Sequence, residues 1–572
     1  MNEERITYFA QTDARNKKVN FGIKAKDRTK HVYVIGKTGM GKSTLLENMA
    51  VQDIKNGEGM AFIDPHGKTA ELLLEYVPEH RVKDVVYFAP FDTDFPISFN
   101  VLESVDPDKR HLVVSGLMST FKKIWLDAWS ARMEYILTNT LLALLEYPDA
   151  TLLGVNRMLS DKAFRNQVIS YVTDPSVKTF WTQEFANYTE RMAAEAVPAI
   201  QNKIGQFTAN ALIRNMIGQP KSSFDIREMM DKGKIFIINL SKGRIGESNA
   251  NLLGGMLITK IYLAALSRAD VPDRVLKTLP NFYLFVDEFQ SFANESFADI
   301  LSEARKYKLN LTIAHQYIEQ MEEEVRAAVF GNVGTMIVFR VGAYDAEVLE
   351  KEFLPTFTME DIVNLGIFQI YLKLMIDGIS SQPFSATTMP PIAKPEHSSM
   401  QNVIEMSRKQ FANNRADVEK KIDEWHTPIA KPQNKVKENK PIIENKPIVE
   451  NKPVIESKPI IESKPVIENK PVTEHKIAVE QKPIIENRSI PLSTLNQNKK
   501  NNIKEATPQR VSELKNALAS VLGNHNIKSK DNNASINKQN NNIKDNNKDN
   551  NSQKETIKEI PEDVLKNVLK ID

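Results

Sequence analysis

The chain has 572 residues, a formal net charge of +2 and no cysteine. This length allows about two or three domains. The near-neutral charge excludes a uniformly basic nucleic-acid coat but not a local basic channel, and the lack of cysteine excludes disulfides and thiolate metal sites. The longest apolar runs, such as Ile235–Leu240, are strand-sized, and the N-terminus has no signal pattern. We therefore expect a soluble, cytoplasmic protein without a transmembrane segment.

The first informative stretch is an apolar strand beginning at Val32, a glycine-rich turn and an amphipathic helix. Gly36, Gly41, Lys42 and Ser43 match G-x-x-x-x-G-K-[ST], whose backbone N–H groups surround polyphosphate oxygens at a helix N-terminus. A chance match in a flexible loop is the alternative, which the flanking strand and helix disfavour. We expect ATP to bind here, with Lys42 on the β- and γ-phosphates and Ser43 on Mg²⁺. The predicted nucleotide-binding residues are Gly36, Lys37, Thr38, Gly39, Met40, Gly41, Lys42, Ser43 and Thr44.

A second predicted strand, Met60–Ile63, is followed by Asp64, Pro65 and His66. Ligands of open α/β sheets bind outside the carboxyl ends of the strands, so Asp64 and His66 could face the nucleotide or the substrate. The equally good alternative is that Asp64 caps the next helix. Val85–Phe88 is predicted to be a further strand.

From about Asp106 to Met230 apolar residues recur at three- and four-residue spacing without strand patterns, which predicts a helical domain inserted into the sheet. Its basic and aromatic residues could form a nucleic-acid surface. The alternative, a solvated helix face over an aromatic core, is favoured because charged residues are mostly exposed. The residues concerned are Lys122, Lys123, Arg132, Lys203, Arg214, Trp125, Trp129 and Phe207.

The sheet is predicted to resume with Lys234–Leu240, and a buried-strand pattern at 281–290 ends in Asp287 and Glu288. In a P-loop ATPase one carboxylate must hold Mg²⁺, directly or through water, and a neighbouring group must orient the attacking water. Asp287 suits the metal role and Glu288 the catalytic role. An isolated Asp-Glu pair is weak evidence, but here it follows an apolar strand in a chain with a phosphate loop.

The next strand, Leu309–Ala314, leads to Gln316, which we expect to sense the γ-phosphate from the same edge of the sheet. Arg305 precedes this strand and Arg340 follows another. Either arginine could neutralise charge in the transition state or simply pair with a nearby carboxylate. The sequence does not choose between them. Ile367–Ile376 is predicted as the final strand, so the core should end near residue 390.

The composition changes after the core. One polar helix is predicted from Met406 to Trp425. A six-residue Lys-Pro repeat follows, and proline blocks helices while alternating Lys and Glu keep the segment solvated, so we expect an extended spacer. A hexapeptide β-helix has the same period, but its turns would not tolerate this much proline.

The last part of the chain is predicted to be disordered, with two short amphipathic helices at Val511–Leu522 and Ile560–Leu569. Such helices usually dock on a partner, although residual helicity without a partner is the alternative. The predicted segments, in chain order, are lead-in strands (1–30), the first part of a P-loop ATPase core (31–105), an inserted all-α domain (106–231), the second part of the core (232–390), a linker with a helix (391–430), the Lys-Pro repeat spacer (431–488) and the disordered tail (489–572).

With these motifs, the chain resembles the conjugative coupling proteins (TraD/TraG-like, type IV secretion) of the HerA–FtsK ATPases over about residues 15–390. Five segments carry the resemblance. They are FIDPHG at 62–67, the helix Trp129–Leu137, NLSKGRIGE at 239–247, LSEARKYKLNLTIAHQ at 301–316 and GNVGTMIVFRVGAYDAE at 331–347.

The resemblance implies an α/β fold, with a RecA-like P-loop NTPase core sheet and an inserted all-α domain, in a homo-hexameric ATPase that translocates DNA. It implies that Lys42 and Ser43 bind phosphate and Mg²⁺, that Asp287 and Glu288 hold the metal and activate water, and that Gln316 is the sensor. Arg305 stands where an arginine finger supplied in trans is expected, and Arg340 remains the alternative. Coupling proteins usually begin with transmembrane helices, and none is predicted here. The chain would therefore be peripheral to the membrane, with a membrane or secretion-apparatus partner recruited through its tail, or act away from the envelope.

Two other functions fit the same residues. One is an ATPase that energises assembly of a secretion apparatus or protein export, whose turnover would be indifferent to DNA. The other is a nucleotide-gated scaffold without DNA pumping. Glu288 favours hydrolysis over a scaffold, because a scaffold needs no group to activate water.

Overall fold

The fold is organised around one large mixed sheet. A computed structural model describes residues 3–13, 17–103, 105–294 and 296–427. In this part of the chain eleven strands form one sheet in the order β2-β1-β13-β10-β9-β3-β8-β7-β4-β6-β5, and β11 and β12 pair separately. The strands are β1 (Ile6–Gln11), β2 (Asn20–Lys24), β3 (Val32–Ile35), β4 (Gly59–Asp64), β5 (Val85–Phe88), β6 (Ile235–Asn239), β7 (Phe282–Val286), β8 (Leu309–His315), β9 (Thr335–Val338), β10 (Gln369–Lys373), β11 (Met375–Ile376), β12 (Ile379–Ser380) and β13 (Phe384–Thr388).

The strands from β9 to β5 are parallel, and β10, β13, β1 and β2 extend the sheet in antiparallel fashion. The parallel strands are apolar throughout because both faces are covered. In β3, for example, Tyr33 and Ile35 belong to one buried apolar cluster and Val32 and Val34 to the other. The predicted α/β fold class is confirmed.

Helices cover both faces of the sheet. Between β5 and β6 the described residues form helices and loops, without a sheet strand. The helices are α1 (Ala25–Arg28), α2 (Lys42–Lys55), α3 (Lys68–Glu75), α4 (Arg110–Ile124), α5 (Ala131–Glu146), α6 (Leu153–Ser160), α7 (Lys162–Tyr171), α8 (Pro175–Thr179), α9 (Glu190–Ala209), α10 (Ala211–Ile217), α11 (Ile226–Asp231), α12 (Lys242–Ile245), α13 (Glu247–Leu266), α14 (Asp273–Thr278), α15 (Ser296–Glu303), α16 (Glu323–Asn332), α17 (Ala343–Phe353), α18 (Met359–Val363), α19 (Met400–Phe411) and α20 (Arg415–His426).

One helix in the described ranges passes a length and composition test for a membrane span. The stretch Glu247–Asp270, which is α13 and the turn after it, has a mean hydropathy of 1.4, and 61% of the tested window is buried. It packs closely on α4, since a Cβ added to Gly116 would lie 2.4 Å from Thr259 Cγ2. Burial inside the protein accounts for its apolar composition. The sequence pattern predicts a long helix from about Ala250 to Leu266, and α13 is that helix. Its apolar stretch is nevertheless longer than the strand-sized runs that the sequence was expected to contain.

The segment after residue 390 packs against the sheet and the helices. The prediction of one helix from Met406 to Trp425 is wrong, because the Asn414 side chain caps a second helix by accepting from the Ala416 N–H. On α19, Val403 is fully buried and Ser407 Oγ accepts from the Tyr87 N–H of the edge strand β5 at 2.9 Å. β13 was also missed. The predicted repeat spacer and the tail with its two short helices lie outside the described residues, and the domain boundaries drawn from the sequence stay predictions.

Candidate nucleotide site

The glycine-rich loop lies at the carboxyl edge of the parallel strands, between the ends of β8 and β9. Its backbone is tied to both neighbours, since Gly36 N–H donates to the His315 carbonyl at 3.2 Å and Lys37 N–H to the Arg340 carbonyl at 2.8 Å. The loop ends at α2, which begins at Lys42. The loop is therefore held at the edge where ligands of α/β sheets bind.

Three loop positions require glycine, for two reasons. Gly39 and Gly41 have φ angles of 79° and 115°, which side chains with a Cβ rarely adopt. A Cβ on Gly36 would lie 2.5 Å from the Cβ of Phe339. The backbone can thus curl tightly around a small anion, as the motif predicts.

The Lys42 side chain is buried inside this curl. Its Nζ donates to the carbonyls of Gly36 at 2.6 Å and Lys37 at 3.2 Å. Burial lowers the pKa of Lys42, and the charges of Glu288 and Asp287 oppose that shift. A buried ammonium that bonds only neutral carbonyls is incompletely compensated, so the loop fits a polyphosphate, whose oxygens would supply the missing negative charge.

Ser43 and Asp287 come together at the start of α2. Ser43 Oγ donates to Asp287 Oδ2 at 3.1 Å, and Asp287 is buried at the end of β7. Burial raises the pKa of Asp287 to about 6, and the nearby charges of Glu288 and Asp64 add to the effect. Two neighbouring ligands of octahedral Mg²⁺ are about 3 Å apart, so this hydroxyl and carboxylate fit a shared magnesium ion.

Glu288 has a different environment from Asp287. Its backbone is left-handed, with a φ angle of 50°, and its carboxylate accepts hydrogen bonds from the side-chain amides of Gln316 and Gln290. His66 Nε2 lies 3.7 Å from Glu288 Oε1. Burial would raise the pKa of Glu288, but the contact with His66 and the hydrogen bonds from Gln316 and Gln290 outweigh it and lower the pKa to about 2. The carboxylate is therefore charged at neutral pH.

Gln316 connects this carboxylate to the glycine-rich loop. Its amide nitrogen donates to Glu288, and its Oε1 accepts from Thr38 Oγ1 at 3.1 Å. A ligand that displaced the Thr38 hydroxyl would break its hydrogen bond to Gln316. Because Gln316 also binds Glu288, this one side chain connects the loop to the carboxylate. The loop, the Ser43–Asp287 pair and the Thr38–Gln316–Glu288 chain form one site.

Residues 18–354 match the family model described as "Type IV secretion-system coupling protein DNA-binding domain". The match covers more than half of the 572-residue chain and includes every residue of the site. The chain belongs to the type IV secretion-system coupling protein family. No curated protein sequence matches it significantly.

Two solved structures of the coupling protein TrwB share the fold of this family member. The plasmid coupling protein TrwB in complex with ADP and Mg²⁺ is 15% identical, with a TM-score of 0.50 over 66% of this chain and 89% of that chain. The trigonal form of the bacterial conjugative coupling protein TrwBdeltaN70 in complex with sulphate is also 15% identical, with a TM-score of 0.50 over 70% and 98% of the two chains. The structure of VirB4 of Thermoanaerobacter pseudethanolicus is 14% identical, with a TM-score of 0.46 over 67% and 96%.

The sequence left open whether Asp64 and His66 face the nucleotide site or Asp64 caps the next helix. Asp64 accepts from the N–H groups of His66 at 2.7 Å and Ala70 at 2.9 Å, so it caps the turn into α3. The side chain of His66 instead faces Glu288. The capping alternative for Asp64 is therefore found, and His66 lies at the site.

The two candidate arginines lie at opposite ends of the parallel strands, Arg340 at the carboxyl end and Arg305 at the amino end. Arg340 follows β9 and its carbonyl accepts from the loop residue Lys37. Arg305 lies in the turn before β8, whose other end carries Gln316. The seven residues of β8 span roughly 20 Å. Arg340 thus neighbours the site of its own chain, whereas Arg305 is exposed far from it.

Three of the basic and aromatic residues of the helical region, Trp125, Lys203 and Phe207, pack with one another. Trp125 lies between Phe121 and Phe207, with ring centroids at 5.4 Å and 5.3 Å, and Lys203 Nζ lies 5.1 Å from the Trp125 ring. Lys123 is half-buried and donates to the Ala293 carbonyl, and burial lowers its pKa to about 8. These contacts agree with the aromatic-core alternative.

Three residues near the site were not found from the sequence. Gln290 binds Glu288, and the rings of Phe339 and Phe368 pack on the glycine-rich loop. Gln290 stands two residues after Glu288, which is a weak signal. The two phenylalanines have none, because their contact with the loop depends on strand order.

Proposed function

We propose that this coupling protein is an ATP-hydrolysing motor that binds DNA and translocates it through a homo-hexameric ring during conjugative type IV secretion. The observation that supports it best is the convergence of a glycine-rich loop, the Ser43–Asp287 pair and the Thr38–Gln316–Glu288 chain at one sheet edge. Hydrolysis of a nucleotide needs these groups, and binding alone does not.

Each side chain has a separate task in this proposal. The loop N–H groups and Lys42 hold the phosphates, and Ser43 and Asp287 hold Mg²⁺. Bound Mg²⁺ neutralises phosphate charge and orients the nucleotide. Glu288 orients the attacking water and takes its proton, and Gln316 responds to the γ-phosphate because it already touches both the loop and Glu288.

The positions of the arginines support a site shared between subunits. Arg305 lies roughly 20 Å from its own loop, so it can neutralise transition-state charge only at a neighbour's site. Arg340 follows the strand beside the loop and its carbonyl binds Lys37, so in this proposal it would act within its own chain. We therefore assign Arg305 as the finger in trans, and a ring of subunits follows from that assignment.

The experiment is steady-state ATP hydrolysis by the full-length protein with and without single- and double-stranded DNA. We expect DNA to stimulate turnover, and added salt to reduce the stimulation, because phosphate contacts dominate sequence-independent binding. Lys42→Ala should abolish turnover with and without DNA. Hydrolysis that neither form of DNA changes would contradict the motor and favour an ATPase of secretion-apparatus assembly or export.

The remaining assignments concern the location of the protein. We place it in the cytoplasm, at the inner face of the membrane when a secretion-apparatus partner recruits it through the C-terminal tail. The basis is the sequence pattern of the tail, which lies outside the described residues.

A further inference from the structure

Phe368 has an unusual backbone for a bulky residue. Its φ angle is 65°, in the left-handed region that large side chains rarely adopt. Three hydrogen bonds hold it there: its N–H donates to the Met40 carbonyl at 3.2 Å, and its carbonyl accepts from the N–H and hydroxyl of Thr388 at 2.9 and 3.3 Å. Strained residues that the surroundings hold so firmly are concentrated at ligand sites.

The ring of Phe368 lies on the glycine-rich loop but is only half covered. A Cβ on Gly41 would be 2.9 Å from its Cδ1, so one part of the ring touches the loop backbone. The side chain is nevertheless 46% exposed, and its neighbour Ile367 is 58% exposed. A half-exposed aromatic ring beside a phosphate loop is available to a ligand that the loop holds.

The order of strands determines which end of a nucleotide would reach this ring. Asp287, Glu288 and Gln316 follow β7 and β8, on one side of the loop strand β3. These groups act on the terminal phosphate, so the nucleoside end must point to the other side, where β9 and β10 lie. Phe368 immediately precedes β10, whose antiparallel pairing with β9 brings its start to the edge that carries the loop.

We propose that the ring of Phe368 is the platform on which the nucleobase of the bound nucleotide stacks. This inference rests on the proposed function, because it requires a nucleotide on the glycine-rich loop. Stacking uses the π-face that every base has, so the platform adds affinity for a purine without selecting adenine over guanine.

The experiment compares ligands with and without a base. Binding of MgADP, MgGDP and inorganic tripolyphosphate to the full-length protein is measured by calorimetry for the wild type, Phe368→Leu and Phe368→Tyr. Leucine keeps an apolar contact with Gly41 but has no π-face. We expect Phe368→Leu to weaken MgADP about tenfold, to weaken MgGDP by a similar factor and to leave tripolyphosphate unchanged, whereas Phe368→Tyr keeps all three affinities.

Phe95→Leu is the matched control, since Phe95 is 41% exposed and packs under Arg408 near α19, away from the loop. It should change no affinity. An equal loss of MgADP and tripolyphosphate in Phe368→Leu would mean that the ring only braces the loop, and would overturn the proposal. Unchanged MgADP binding in that variant would also overturn it while leaving the proposed function intact. A wild-type protein that binds none of the three ligands would refute both the stacking proposal and the proposed function.

Discussion

At the scale of single residues, two adjacent carboxylates at the end of β7 have opposite surroundings. Asp287 is buried beside other carboxylates, which raises its pKa, and Glu288 accepts bonds from Gln316 and Gln290, which lower its pKa despite burial. The contacts of these two adjacent residues therefore shift their pKa values in opposite directions. Of the two, Glu288 is the carboxylate connected to the glycine-rich loop.

We expect Glu288→Gln to reduce ATP turnover by about 10²- to 10⁴-fold, the usual contribution of a general base. Nucleotide affinity should change little, because the loop and Lys42 are intact. Single-turnover hydrolysis and equilibrium binding of ATP measure the two effects separately. Glu228→Gln, at an exposed carboxylate on α11, is the control and should keep full turnover. A Glu288→Gln variant with normal turnover would refute the assigned role.

His31 predicts how stability depends on pH. It is buried, its Nε2 lies 3.2 Å from the Leu301 carbonyl and its Nδ1 accepts from the Leu311 N–H. Burial lowers its pKa to about 4, against roughly 6.5 when unfolded. Between these values the unfolded chain binds the proton and the folded chain does not, so stability falls as pH falls.

We therefore expect His31 to lower the free energy of unfolding by about 3 kcal/mol as the pH falls from 7 to 4. Urea denaturation across this range measures the loss. His31→Asn, which tolerates the φ angle of 62° at this position, should show a smaller pH dependence. If the two proteins lose stability in parallel as pH falls, another group is responsible.

At the scale of elements, close packing of α13 supports the site. Gly254 of α13 lies against Phe292, which follows the short turn after Glu288, and a Cβ at Gly254 would be 2.2 Å from Phe292 Cε1. Phe292 is itself buried and cannot easily move. The helix and the segment that follows Asp287 and Glu288 are thus fitted together at a position where only glycine has room.

We expect Gly254→Ala to lower the unfolding free energy by about 1–3 kcal/mol through overpacking. Gly331→Ala is the matched control, because Gly331 also lies in a helix, α16, and a Cβ there would meet nothing within 4 Å. That control should be neutral or slightly stabilising. Denaturant unfolding of both variants gives the comparison, and equal effects would show that helix propensity rather than packing decides.

At the scale of the whole molecule, the distance between Arg305 and its own loop predicts complementation between subunits. Lys42→Ala lacks a working site but keeps Arg305, and Arg305→Ala has the reverse defect. Each variant alone should be reduced about 10³-fold or more, and their mixture should recover turnover. The measurement is ATP hydrolysis of the mixture after subunit exchange.

The control for this test replaces Arg305→Ala by Arg340→Ala. If Arg340 acts within its own chain, mixing Arg340→Ala with Lys42→Ala should recover nothing. If turnover recovers in the mixture with Arg340→Ala but not in the mixture with Arg305→Ala, the two arginines have the opposite roles. Full turnover by Arg305→Ala without a partner would remove the argument for a shared site.

The α/β class, the glycine-rich loop and the strand that ends at Asp287 and Glu288 could be predicted from the sequence, because each is encoded by residues adjacent in the chain. Apolar periodicity and motif spacing are local properties. The two helices after residue 390 were only partly predicted, since polar surface residues hide the few side chains, such as Val403, that dock them.

Only the tertiary structure decided which distant groups meet. His66, Gln290 and Gln316 converge on Glu288, Arg305 lies at the opposite edge from its own site, and Phe368 rests on the loop. These relations follow from the order in which strands pair, and that order is set by long-range packing of both sheet faces. The hydrophobic pattern of a sequence gives the side-chain period of each strand, but it does not determine which strands pair.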